Sequence, residues 1–185
     1  MKYSEAEKLQ LLMLCDIYEK SKIQDGIKTN IIREAIDTGN TWAISWLYPS
    51  IDEKEKSPND VNFVCKVLDM YIVLESTYNQ LDSEKQSLLT TEASPFGGRS
   101  SVIFPGFDGN NEADLMSIGE MLHRLGRYKN IDTSKNTHIP TRETYSRMLS
   151  VYEEHMLAIG FTGIEFTYEA LRDTLLARIH PSQRY

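Results

Sequence analysis

The chain has 185 residues, 41% hydrophobic and 25% charged, a balance that supports a buried core and excludes collagenous or disordered polymers. Lys and Arg number 20 against 27 Asp and Glu, a net charge of −7, which excludes a histone-like or polybasic membrane-binding protein but not a local basic site. A chain of this size buries about 70% of its unfolded surface without a disulfide, so one domain over 1–185 is expected.

The opening residues, Met1 to Glu7, carry no basic start, apolar run and small-residue cleavage site in series. Leu11 to Cys15 is the longest apolar run, far short of the roughly 18 residues a membrane helix needs. These features predict a cytoplasmic protein with no membrane partner. Cys15 and Cys65 lie fifty residues apart, each among apolar positions of a predicted helix, which points to buried free thiols rather than a redox or metal pair.

Ser4 and Glu7 have capping-box spacing and predict a helix to about Lys20. Leu9, Met13 and Ile17 fall on one face, and Leu11, Leu14, Cys15 and Tyr18 on another. So broad an apolar surface predicts either the central helix of the core or a helix whose second face meets another subunit. Thr29 or Asn30 opens a short helix to Asp37, stopped by Gly39, and Thr41 opens another through Trp42, Ala43, Trp46 and Leu47 before Pro49. The pair has helix–turn–helix spacing, yet few basic side chains for DNA phosphates, which favours packing.

Ser57 and Pro58 predict the start of a long helix to about Leu81, with Val61, Val64, Leu68, Tyr71, Ile72, Glu75 and Tyr78 on its stripe. The following stretch, 82–101, is rich in Gly, Ser and Thr and predicts one long mobile loop. Val102 to Phe104 is expected to be extended, and Pro105-Gly106 to turn. Asn110 or Asn111 should then cap a helix carrying Leu115, Ile118, Leu122 and Leu125, ended by Gly126. A polar connection over 128–140 precedes a helix capped by Thr141, with Tyr145, Met148 or Leu149, Tyr152 and Met156 inward and Gly160 at its end. Thr167 caps a last helix with Leu171, Leu175 and Ile179. Strand patterns are nearly absent. The expected class is all-α, a compact bundle of about six to seven helices.

HExxH, paired CxxC, the phosphate-binding P-loop, GxGxxG and GxSxG do not occur. One Glu-x-x-His, Glu120 and His123, lacks the second copy a di-iron bundle requires. Asp108-Gly109-Asn110-Asn111 lacks the Gly and Glu that complete a calcium loop. No metal or other cofactor is expected, and no catalytic residue emerges. Gly97 to Ser101 has the composition of a flexible linker or of an anion cradle. Residues 123–147 carry a net +4 within a −11 remainder. Arg124, Arg127, Tyr128, His138 and Arg142 from this segment form a candidate anion site, since Arg grips phosphate or carboxylate through two donors and His titrates near neutrality. The competing reading pairs these cations with the protein's own carboxylates.

Val102-Ile103-Phe104-Pro105-Gly106-Phe107-Asp108, then Glu112-Ala113, Gly126-Arg127-Tyr128, Pro140, Tyr145, Arg147-Met148-Leu149 and Val151-Tyr152, resemble the YfbU family of bacterial proteins. Met70-Tyr71, Leu74 and Asn79-Gln80-Leu81 fit the same family's long helix, whereas 29–51 and 82–101 depart from its pattern. The resemblance implies a compact, all-α, cytoplasmic and self-associating protein, and assigns no catalytic residue. It implies structural roles for Phe104, Gly106, Phe107, Asp108 and Gly126 around the start and end of one helix. The function expected is therefore a non-enzymatic helical regulatory or protein-interaction module acting as a homo-oligomer. The alternative is a metal-independent RNA- or phosphate-ligand-binding protein or enzyme using the basic segment.

Overall fold

The computed structural model describes residues 3–23, 26–51, 58–159 and 166–183, and every regular element among them is helical. Helix α1 spans Glu5–Lys20, α2 Thr29–Asp37, α3 Trp42–Leu47, α4 Asn59–Gln80, α5 Ser83–Glu92, α6 Arg99–Val102, α7 Ala113–Arg124, α8 Arg142–Ile159 and α9 Tyr168–Leu176. Ser57 and Gly160, expected at the ends of α4 and α8, lie outside the described residues.

Helix α4 is the organising element. It packs against α6, α7, α8 and α9. Val61, Val64, Val67, Leu68, Met70, Tyr71, Leu74 and Tyr78 are all buried on it, more than one stripe can account for. A helix enclosed by several neighbours buries most of its circumference. The sequence stripe through Ile72 and Glu75 needs correction here: Leu74 is fully buried and Ile72 is exposed. The buried side chains of the chain form one contiguous core.

Helix α1 opens as its sequence predicts, with Ser4 accepting from the Glu7 N–H and Glu7 accepting from the Ser4 N–H. It is not the central helix. It packs mainly on α2, which packs on α3, and only Cys15 of α1 is buried. Arg33 of α2 ties the two together by ion pairs to Asp16 and to Glu19, the latter at 3.3 Å. The α2–α3 corner docks on α7 through Asn40, which donates to the Ser117 hydroxyl at 2.8 Å and accepts from the Trp42 indole at 2.9 Å.

The stretch 82–101, expected to be a loop, is largely helical. Asp82 accepts from the Lys85 N–H at 2.8 Å and caps α5. The Thr90 and Thr91 hydroxyls donate back to carbonyls one turn earlier, so residues that favour loops are satisfied within a helix. Leu89 and Ala93 supply the driving force by full burial. At Gly97 the backbone passes so near the Leu89 carbonyl that a Cβ would sit 2.0 Å from its oxygen. Glycine here permits close packing, and Arg99 donates to the Asn79 side chain at 2.7 Å instead of pointing into an anion cradle.

The start of α7 also differs from expectation. Neither Asn110 nor Asn111 caps it. The helix begins at Ala113 with Glu112 before it, and Asn110 and Asn111 donate instead to the Asp108 carboxylate. Gly126 ends α7 at φ +84°, where the Arg127 N–H reaches the Leu122 carbonyl at 3.0 Å in a Schellman closure.

Candidate functional site

Three places combine unusual side chains. The first is the junction of the 104–112 segment with α8. Phe104, Phe107, Tyr71 and Tyr145 pack edge to face with ring centroids 5.3–5.7 Å apart, and the Tyr145 hydroxyl donates to the Gly106 carbonyl at 2.6 Å. Gly106 adopts φ +108° with the Lys135 carbonyl against it, leaving no room for a side chain. The carboxylate of Glu112 accepts from the Asp108 N–H at 3.2 Å, the Thr141 N–H at 2.8 Å, the Thr141 hydroxyl at 2.7 Å and the Arg142 N–H at 2.7 Å. Glu112 thus caps α8 from thirty residues away in sequence, and its charge faces the positive end of that helix. Burial pushes the Glu112 carboxyl upward, but these four donors outweigh it and hold it below the usual range. Asp108 is lowered as well, first by the Asn111 side-chain amide. The junction is fully engaged in holding helices together.

The second place is the basic segment, and its members face different neighbours. Arg124 pairs with Glu34 of α2 at 2.5 Å. The Arg127 guanidinium lies 4.5 Å over the Trp46 ring of α3. Tyr128 sits at φ +51° and donates to Asp69 of α4 at 2.9 Å; burial, then that bond, raises its pKa. Arg142 pairs with Asp60 at the start of α4 at 2.6 Å and lies 5.0 Å over the Phe63 ring. His138, at φ +57°, donates its N–H to the Asn136 side chain at 2.8 Å. Arg147 donates to the Ala177 and Arg178 carbonyls beyond α9.

Arg127 and Tyr128 share a depression of about 660 Å³, whose lining also includes Glu75 and Asn79. Arg142 lines a separate one of about 230 Å³ together with Asp60, Glu112 and Asp114. Its surroundings are acidic, which opposes an anion. No group of three or more His, Cys, Asp or Glu side chains that could hold a metal occurs among the described residues. Cys15 and Cys65 are unpaired, and burial pushes both thiols up, away from the reactive thiolate.

The third place is the outer face of α1. Leu9, Met13, Leu14 and Ile17 are each 56–60% exposed, side by side on one helix. Ile23 and Ile27 just beyond the helix are exposed as well. Between them and α2 lies a groove of about 330 Å³ lined by Leu11, Leu14, Cys15, Ile17, Tyr18 and Ile32, an almost wholly apolar surface. The result is an apolar patch left open on the folded surface. The apolar periodicity of the first helix signalled it in the sequence. Ile23, Ile27 and the groove had no such signal, because they depend on how α2 folds back.

No helix among the described residues is long and apolar enough to cross a membrane. No curated protein and no solved structure matches the chain. A family model described as the YfbU domain matches residues 1–176, all of α1 to α9. The chain belongs to the YfbU family.

Proposed function

We propose that the protein is a cytoplasmic, non-enzymatic helical interaction module that works as a homo-oligomer, with the outer face of α1 as the contact. The observation that carries this reading is the row Leu9, Met13 and Ile17, with Leu14 beside it, exposed on a helix whose opposite face is anchored to α2. Leaving four large apolar side chains in water is unfavourable by about 1–2 kcal/mol each relative to burial, and a second subunit removes that cost. The flanks of the helix argue against a lipid surface as the occupant. They carry Glu5, Glu7, Asp16 and Glu19 against Lys8, Lys20 and Lys22, whereas interfacial membrane helices are rich in basic residues.

The test is sedimentation equilibrium of the wild type and of Ile17→Glu at micromolar concentrations. An assembled wild type and a monomeric, folded Ile17→Glu protein support the reading. A monomeric wild type, or one that binds anionic vesicles instead of itself, overturns it. The reading of the basic segment as an RNA or phosphate-ligand site has less support, because Arg124 and Arg142 already face Glu34 and Asp60. Loss of RNA binding on the paired change Arg124→Ala and Arg127→Ala would restore it.

A further inference from the structure

The outer stripe of α1 has a polarity as well as an apolar surface. One row at i+4 spacing runs Glu5, Leu9, Met13, Ile17, and Lys20 closes it three residues later. The stripe is therefore acidic at its start, apolar in its middle and basic at its end. At 1.5 Å per residue, Glu5 lies about 12 Å before Met13 and Lys20 about 10.5 Å after it. A two-fold axis through Met13 thus superimposes each charged end on the other.

The other charges of the helix have partners of their own. Glu7 is held by Ser4, Asp16 and Glu19 by Arg33 of α2, and Lys8 pairs within the helix with Glu5 itself at 2.8 Å. The Glu5 side chain keeps 90% of its surface exposed despite that pair. Self-complementarity of this kind is what a closed two-fold contact requires, because each residue must meet its counterpart's partner.

We infer that the partner at this face is a second copy of the chain, docked with its α1 antiparallel and centred on Met13. Resting on the self-association reading above, this adds the orientation and register of the contact. Glu5 of each copy meets Lys20 of the other, and Leu9 of each faces Ile17 of the other. Leu9 then seats at the mouth of the apolar groove that Leu14, Ile17 and Ile32 line. The antiparallel arrangement also sets opposite helix dipoles side by side, whereas a parallel one would bring Glu5 to Glu5 and Lys20 to Lys20. Parallel pairing places like charges together at both ends.

The deciding experiment mixes two full-length variants, Leu9→Cys and Ile17→Cys, under mild oxidation, with the linked peptides identified by mass spectrometry. Both positions are exposed, so neither change disturbs the core. Mapping separates these links from any involving Cys15 or Cys65. The expected result is disulfides joining one variant to the other in excess of random pairing. Disulfides within each variant, or random proportions in an assembled protein, overturn the antiparallel register while self-association stands. A wild type that sediments as a monomer instead overturns the reading beneath it.

A charge exchange gives an independent check. Glu5→Lys should weaken assembly about threefold to tenfold, and adding Lys20→Glu should restore it. Both changes place the wrong charge at an end of α1, so recovery by the pair cannot come from helix stability. No recovery argues against the register.

Discussion

The α4–α7–α8 centre and the α1 layer use the same kind of residue to opposite ends. In the centre, Leu68, Leu74, Phe107, Leu122 and Met148 are enclosed, and the backbone groups at the start of α8 meet the Glu112 carboxylate. In the α1 layer, Leu9, Met13, Leu14 and Ile17 are equally apolar and lie open. Stability therefore resides where apolar surface is already buried, and the α1 face contributes little to it because its apolar surface stays in water. The basic segment belongs with the first region: its arginines bind the protein's own carboxylates, an aromatic ring and helix-end carbonyls.

The sharpest way to break the contrast is to truncate one large apolar side chain to alanine in each region. Phe107→Ala should cost about 3–5 kcal/mol of folding stability, measured by urea unfolding, because its ring is fully enclosed by Phe104 and Tyr145. Leu9→Ala should cost less than about 0.5 kcal/mol in the isolated subunit. A comparable loss at both sites would mean that α1 is part of the folding core.

Next comes Glu112→Ala, expected to cost about 2–3 kcal/mol, since four donors would lose a charged acceptor at once. The pH dependence has a definite sign. A carboxyl lowered in the folded state adds stability that is fully present above its ordinary value of 4.5, and this is lost as pH falls through the lower folded value. Glu112→Gln should flatten the acid limb of the stability curve, and an unchanged limb would show that other carboxylates set it.

Smaller again is the effect on stability of Ile17→Glu, expected within about 0.5 kcal/mol for the subunit, while assembly weakens about thirtyfold or more. Smallest is Tyr71→Phe. The buried Tyr71 hydroxyl makes no hydrogen bond of normal geometry among the described residues, although it interacts with the Tyr145 hydroxyl, and burial pushes its pKa up to about 12. Its removal should leave thermal stability unchanged or slightly raised. A clear loss would reveal a polar contact at the centre of the aromatic cluster.

Much of this was legible in the sequence for local reasons. The Ser4–Glu7 box, Thr167 and Gly126 act within a turn of their own helices, so their spacing alone indicated the boundaries. The long helix was legible too, but not which of its faces was buried, because α4 is enclosed by four neighbours that periodicity cannot see. The stretch 82–101 misled for a related reason. Its Ser, Thr and Gly content favours a loop, and the burial of Leu89 and Ala93 overrides that preference. Glu112 looked like an ordinary acidic residue in a first turn. Its role as the cap of a different helix exists only after the chain has folded back.

By itself, the sequence determined the helical class, most helix ends and the family, since these depend on short-range spacing and on motifs preserved along the chain. Tertiary structure decided which apolar faces are satisfied. Leu9, Met13 and Ile17 read like any core stripe. Only the packing of α1 on α2 turned that stripe outward and left its apolar surface exposed.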